Sequence, residues 1–138
     1  MRLRKNAKIE LIKNVPLFSS CTKKELEAIA AQADELVVPE GKALTKEGER
    51  GREFMVIVDG SAEVRKKGRR LNLLGSGDFL GEIALISGGP RTATVTTTSE
   101  TDILVLTDRA FSALTKTMPS IQASVLKALS ERLHSDAI

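Results

Sequence analysis

The sequence predicts a mainly β fold with flanking helices, in which eight short strands form a closed double-sheet jelly roll. Three observations carry this expectation. The apolar period changes to two from Leu36 onward. The alternating segments are short, evenly spaced and divided by glycine- and acid-rich turns. Helical stripes appear only before residue 33 and after residue 108. At 138 residues the chain is long enough to bury one core of its own. It is therefore expected to be a single domain over 1–138, with N-terminal helices at 7–33, a β-roll at 35–107 and C-terminal helices at 108–136.

The elements follow in order. Ile9, Leu11, Ile12 and Val15 form a helical run that Pro16 breaks. Ser20, Thr22 and the acids after them are helix-start signals, and Leu26, Ile29, Ala30 and Ala33 continue a helical stripe. Strands are predicted at 35–38, 43–46, 53–58, 62–66 and 70–74. Asp59-Gly60 is expected to close a hairpin between Phe54–Val58 and Ala62–Val64. Lys67-Gly68 marks a second reversal, and Gly75-Ser76-Gly77-Asp78 leads into an unusual segment considered below. Strands resume at 92–98 and 102–106. A single buried turn of helix interrupts the series, and such a set of strands suits a double-sheet roll. Asp108 reads as the N-cap of a short helix, Arg109 to Lys116. Pro119 opens a longer one whose apolar stripe comprises Ile121, Val125, Leu126, Leu129 and Leu133.

Composition excludes several functional classes. Twenty-one basic against 18 acidic residues leave a net charge of only +3. Two basic clusters, Arg2-Arg4-Lys5-Lys8 and Lys66-Lys67-Arg69-Arg70, have no aromatic neighbours on which bases would stack, and the chain has neither Trp nor Tyr. They read as solvated faces, the second also blunting a strand edge. The apolar runs are too short to span a membrane, and the charged start has no apolar segment typical of a secretory signal. Cys21 stands alone, which excludes an internal disulfide and fits a reducing cytoplasm. It reads as a packing residue, because the one histidine, His134, is far away in sequence. No paired acids, nucleophile–base set or metal cluster is evident, so no catalysis, metal or further cofactor is expected.

Residues 79–95, Phe79-Leu80-Gly81-Glu82-Ile83-Ala84-Leu85-Ile86-Ser87-Gly88-Gly89-Pro90-Arg91-Thr92-Ala93-Thr94-Val95, carry the functional signal. Gly81 permits close backbone approach to a ligand. The run from Glu82 to Ile86 suits a turn or two of buried helix, whose free first-turn N–H groups favour an anion. Arg91 offers a guanidinium fork matched to two phosphate oxygens. Glu82 only accepts hydrogen bonds, so its natural partner there is a hydroxyl such as a ribose 2′-OH. Taken singly, the same residues read as a first-turn acid, its ion-pair partner and turn glycines. No Gly-Lys-Ser/Thr follows a glycine loop, which excludes a Walker-type site. A ligand with a single phosphate charge fits one cation best.

The segment resembles the phosphate-binding cassette of cyclic nucleotide-binding domains, found in cAMP-dependent kinase regulatory subunits, bacterial catabolite-activator-type regulators and cyclic nucleotide-gated channels. The match comprises Phe79, Gly81-Glu82, Ala84-Leu85 and Pro90-Arg91-Thr92-Ala93-Thr94-Val95. The resemblance implies that Gly81 and the amides of Ile83 and Ala84 contact phosphate or ribose. It further implies that Glu82 takes the 2′-OH, Arg91 takes the phosphate, and Phe79, Thr92 and Ala93 belong to the ligand surroundings. Leu73 and Leu74 are expected to line the sugar and base cavity. The C-terminal helices become hinge and lid, with Arg132, Leu133 or His134 expected to cap the base.

The resemblance implies a regulatory sensor of cAMP or cGMP that performs no chemistry on its ligand and whose docking shifts the C-terminal helices. Thr92 stands where cGMP-preferring members often carry a hydroxyl, yet bacterial cAMP binders carry one there too. Prevalence in the family favours cAMP. A homodimer or an effector protein is expected to use the C-terminal helices, and direct nucleic-acid or membrane binding is not expected. The alternatives are a ligand-independent dimerisation module and the sensor portion of a larger transcription factor, channel or enzyme.

Overall fold

A computed structural model of the chain describes residues 3–81, 85 and 89–136, with side chains at positions 129 and 132–136 excepted. The chain divides into two compact units, residues 34–108 and residues 1–33 with 109–138.

The first unit is a roll of two four-stranded antiparallel sheets. Its strands are β1 (Asp34–Val38), β2 (Ala43–Thr45), β3 (Glu53–Asp59), β4 (Ala62–Lys66), β5 (Arg69–Leu74), β6 (Phe79–Leu80), β7 (Thr94–Thr97) and β8 (Thr101–Thr107). One sheet runs β1-β8-β3-β6 and the other β2-β7-β4-β5. Every link passes from one sheet to the other except β4–β5. That link is a true hairpin, whose loop residues Lys67 and Gly68 both have positive φ, 52° and 78°, as a two-residue type I′ turn requires.

Asp59-Gly60 does reverse the chain, but β3 and β4 lie in different sheets rather than pairing as the expected hairpin. The reason is packing. Met55 and Ile57 of β3 and Ala62 of β4 each carry a buried side chain into one cluster, with Val95 of β7 and Ile103 and Val105 of β8. Two such rows bury best when they face one another across the roll. Val38, Leu44, Val64, Leu74 and Leu80 pack around this cluster. Burying each large apolar side chain contributes about 1.5–3 kcal/mol.

Two further points differ from expectation: the seven predicted ranges leave out one of the eight strands, and one boundary is shifted. β6, only two residues long, pairs Phe79 and Leu80 with Val56 and Met55, although its brevity leaves no periodicity to read. β7 begins at Thr94 rather than Thr92. β5 lies at a sheet edge, with Arg69 and Arg70 exposed.

The second unit is helical: α1 (Lys5–Lys13), a 3₁₀ turn (Pro16–Phe18), α2 (Lys23–Gln32), α3 (Asp108–Thr117) and α4 (Pro119–Asp136). Thr22 caps α2 in a reciprocal box: its hydroxyl accepts from the Glu25 N–H at 3.2 Å and its own N–H donates to the Glu25 carboxylate at 2.8 Å. Glu25 is almost fully buried and also accepts from the Ser124 hydroxyl of α4 at 2.9 Å. Burial opposes its charge, but hydrogen bonds from Thr22, Ser124 and Ser120 prevail and hold its carboxyl below the usual value. Phe18 and Phe111 pack with ring centroids 6.1 Å apart.

Asp108 is the first residue of α3 rather than its cap, and its charge suits the positive end of the helix. On α4, Ile121, Val125 and Ala128 are buried at one-turn intervals, whereas Leu126 is 59% exposed. Leu126 lies off the expected stripe because a step of one residue rotates about 100° around a helix. The side chains of Leu129 and Leu133 lie outside the described residues. Burial, then the charge of Glu25, pushes the Cys21 thiol up to about 11. It is thus protonated near neutrality and suits packing rather than attack.

Two stability predictions follow from these contacts. Ile57→Ala should cost about 2–5 kcal/mol through lost burial and the cavity left behind, measured by urea denaturation. On the β1–β8–β3 sheet, burial, the hydrogen bond and charge of Glu35, and the charge of Asp59 push the Asp102 carboxyl up to about 6 from 3.8. Asp102 therefore binds its proton more tightly in the folded state. Its stabilising contribution is full below pH 3.8 and is lost as pH rises through about 6. Relative to the parent, Asp102→Asn should gain stability at about pH 7.5 and lose that advantage near pH 3.5. A gain of equal size at both pH values would contradict this account.

Candidate functional site

Between the sheets the core opens into a hollow of about 330 Å³, at the lower end of the range usual for small-molecule sites. Among the described residues, Val64, Leu74, Val95 and Leu80 form its apolar wall, Phe79 and Ala93 extend it, and Thr45, Gly51, Gly81 and residues 89–92 close it. Its wall is thus continuous with the hydrophobic cluster of the roll. Among the described residues, the one charged side chain on this lining is Arg91.

Arg91 is held by main-chain groups at both ends. Its N–H donates to the Glu49 carbonyl at 2.7 Å, and its carbonyl accepts from the Gly48 N–H at 2.8 Å. Pro90 forms a bridge with Arg50, so the segment before Arg91 lies against the loop between β2 and β3. The guanidinium Nη2 donates to the Glu53 carbonyl oxygen at 2.6 Å. Burial lowers the guanidinium pKa, and the Glu53 carboxylate opposes that shift. Arginine nonetheless stays charged at any physiological pH. Among the described residues, a cation thus faces a hollow whose wall is mainly apolar.

The exit from this segment is stitched as firmly. The buried Thr45 hydroxyl donates to the Ala93 carbonyl at 3.0 Å and accepts from the Val95 N–H at 3.2 Å. The Thr94 hydroxyl accepts from the Glu47 N–H at 2.9 Å. These bonds use up the first residues of β7, which explains why the ladder starts after Ala93. Gly81 has φ +80°, and a Cβ there would collide with the Arg91 guanidinium and the Glu53 carbonyl. Only glycine satisfies both conditions.

The structure thus brings Leu74, Phe79, Gly81, Arg91, Thr92 and Ala93 to one hollow. Leu73 does not line it. That side chain is 55% exposed, because successive residues of β5 point to opposite faces and Leu74 takes the inner one. Glu82, Ile83 and Ala84, the expected ribose and phosphate partners, lie outside the described residues, as do the side chains of Arg132, Leu133 and His134. Leu85 is buried.

Sequence reasoning missed Thr45, Gly51, Val64 and the Glu53 carbonyl. Val64 was legible only as an inward position of a strand, and the others are joined to Arg91 by tertiary pairing alone. Among the described residues, no group of three or more His, Cys, Asp or Glu is placed to hold a metal ion, and no helix is long and apolar enough to cross a membrane.

Comparison with known proteins agrees with this geometry. Residues 35–118 match the family described as the cyclic nucleotide-binding domain. The chain is 35% identical over 123 residues to a cyclic nucleotide-gated potassium channel of Rhizobium etli, covering 89% of this chain and 34% of the channel. It is 35% identical over 114 residues to a cAMP-dependent protein kinase regulatory subunit of Mycosarcoma maydis, covering 76% and 22%. It is 37% identical over 93 residues to a cGMP-dependent protein kinase of Plasmodium berghei, covering 67% and 11%. The chain therefore spans about a third or less of these relatives. The crystal structure of the N-terminal domain of a transcriptional regulator from Streptomyces coelicolor A3(2) superposes with a TM-score of 0.84 at 26% identity, covering 92% of each chain. A β-roll with this strand order, a cassette ending in a buttressed arginine and a family match across the whole roll have one meaning: the chain belongs to the cyclic nucleotide-binding domain family.

Proposed function

We propose that the chain is a non-catalytic sensor whose ligand is cAMP, held in the hollow between the sheets. The observation that carries this reading is the pairing, among the described residues, of the Arg91 guanidinium with the apolar wall of Val64, Leu74, Leu80 and Val95. A cyclic nucleotide has that same division: one phosphate charge at one end and a flat base at the other. In this reading Arg91 takes the phosphate, together with the backbone of Gly81 and the amides of Ile83 and Ala84. Glu82 takes the ribose 2′-OH. Leu74, Phe79, Thr92 and Ala93 line the sugar and base, with Arg132 of α4 as the capping residue. The choice of cAMP rests on the kinase regulatory subunit among the relatives. The cGMP-dependent kinase among them makes cGMP the competitor to test.

Docking is proposed to reposition α3 and α4. Within the helical unit these helices are joined to the N-terminal ones through Phe18–Phe111 and Ser124–Glu25. A shift of the C-terminal helices must therefore strain or carry those contacts, and it can be no larger than the ligand's differential affinity for the two arrangements permits. Output through an effector protein or a second copy would use α4, on which Leu126 is exposed. The lone thiol suits a cytoplasmic setting. Since the relatives are several times longer, the same reading makes this chain the sensor portion of a channel, kinase or regulator.

Calorimetric titration with cAMP, cGMP and 5′-AMP tests the ligand. The cyclic forms should bind, cAMP more tightly, and 5′-AMP weakly. Hydrogen bonds to a charged partner contribute roughly 1.5–3 kcal/mol each, so Arg91→Ala should weaken cAMP binding by about tenfold to a hundredfold. Unchanged affinity in that variant, or preference for 5′-AMP, would overturn the assignment. Hydrogen exchange followed by mass spectrometry tests the coupling. Saturating cAMP should alter protection along α4 and at the capped start of α2, and protection changes confined to the roll would refute a helix shift.

A further inference from the structure

The slot that holds the Arg91 guanidinium is built from two glycines, only one of which belongs to the cassette. Gly51, in the loop between β2 and β3, is buried, and its φ lies outside the left-handed region. Its backbone is therefore open to any residue, and no turn requires glycine there. Its N–H donates to the Gly89 carbonyl at 3.3 Å, a bond that alanine would keep. The nearest obstruction to a side chain is Arg91: the three atoms nearest an added Cβ are Arg91 Nε, Cζ and Cδ, all closer than atoms can approach. On the other side, a Cβ on Gly81 would run into Arg91 Nη1. The guanidinium thus passes between two residues without side chains, and Nη2 ends on the Glu53 carbonyl.

We infer that Gly51 is a positioning residue for ligand binding, holding open the slot that aims the Arg91 fork into the hollow. This rests on the reading of the hollow as a nucleotide site. Arginine has many rotamers, and a slot that selects one before the ligand arrives removes that ordering cost from binding. The obstruction to a methyl group at residue 51 is the end of a flexible side chain rather than backbone. Gly51→Ala should therefore leave the fold intact and move the guanidinium.

The experiment compares the parent, Gly51→Ala, Arg91→Ala, the double variant and Gly75→Ala, a control at a glycine with nothing within 4 Å and no positive φ. Thermal unfolding, the Arg91 Nε–H resonance in ¹⁵N-labelled unliganded protein, and calorimetric titration with cAMP and cGMP are read for each. The resonance is identified by its loss in Arg91→Ala. Gly51→Ala should melt with the parent, shift the Nε–H resonance and weaken cAMP binding about tenfold or more, the scale of one charge-assisted hydrogen bond. In the Arg91→Ala background the Cδ, Nε and Cζ that meet the methyl group are gone, so Gly51→Ala should have no further effect on the residual affinity. Gly75→Ala should match the parent throughout.

Three results would overturn the inference: an unmoved resonance with unchanged affinity, an equal loss of affinity in the parent and Arg91→Ala backgrounds, or failure of Gly51→Ala to fold. If the parent binds neither nucleotide, the proposed function falls, and the Nε–H resonance still decides whether Gly51 shapes the slot.

Discussion

A guanidinium drawn partly out of water has to find acceptors, and the site depends on where Arg91 finds them. Among the described residues it takes the main-chain oxygen of Glu53. That choice matters chemically. A carbonyl satisfies one N–H without cancelling the charge, so it does not itself compete with an anion for the guanidinium. A carboxylate in the same place would have closed a bidentate pair and competed with any phosphate. The main chain of residues 48, 49 and 93–95 serves the same end by fixing the arginine's Cα instead of its head group.

This arrangement is possible because of how the strands are linked. All but one connection changes sheets, so the β2–β3 loop and the segment before β7, about forty residues apart in sequence, become neighbours. The inward rows of β4, β5 and β7 then run out of core partners near the arginine and leave a dry surface at Val64, Leu74 and Val95. Core and binding wall are therefore one surface, covered by other side chains at one end and open at the other. A change at Val64 or Leu74 alters both packing and the hollow.

The fold was legible in the sequence wherever a pattern was long enough to repeat. The apolar run Phe54–Val58, the turn at Lys67-Gly68 and the cap at Thr22 each have a local cause and appear where that cause puts them. Asp59-Gly60 misled because a turn dipeptide states that the chain reverses, not which sheet receives the next strand. β6 is too short to show a period, and Leu126 looked like stripe because apolar character was weighed without its angle. In the site, Arg91 and Gly81 stood out through their order within one short segment. Thr45 and Gly51 did not, since a threonine in a short strand and a glycine between two arginines are ordinary until the chain brings residue 91 beside them.

The helical unit is discontinuous: its first part ends near Ala33 and its second starts near Arg109. Glu25 and Ser124 meet across 99 positions, and Phe18 meets Phe111. During synthesis α1 and α2 leave the ribosome first, yet their apolar faces must wait until the entire roll has been translated before α3 and α4 arrive to cover them. The capping box lets α2 form early without that help, but completion of the unit is bound to be a late, long-range event. Between those two moments the nascent chain presents sticky helical surface, the kind of interval in which chaperones act and misassembly between neighbouring chains begins.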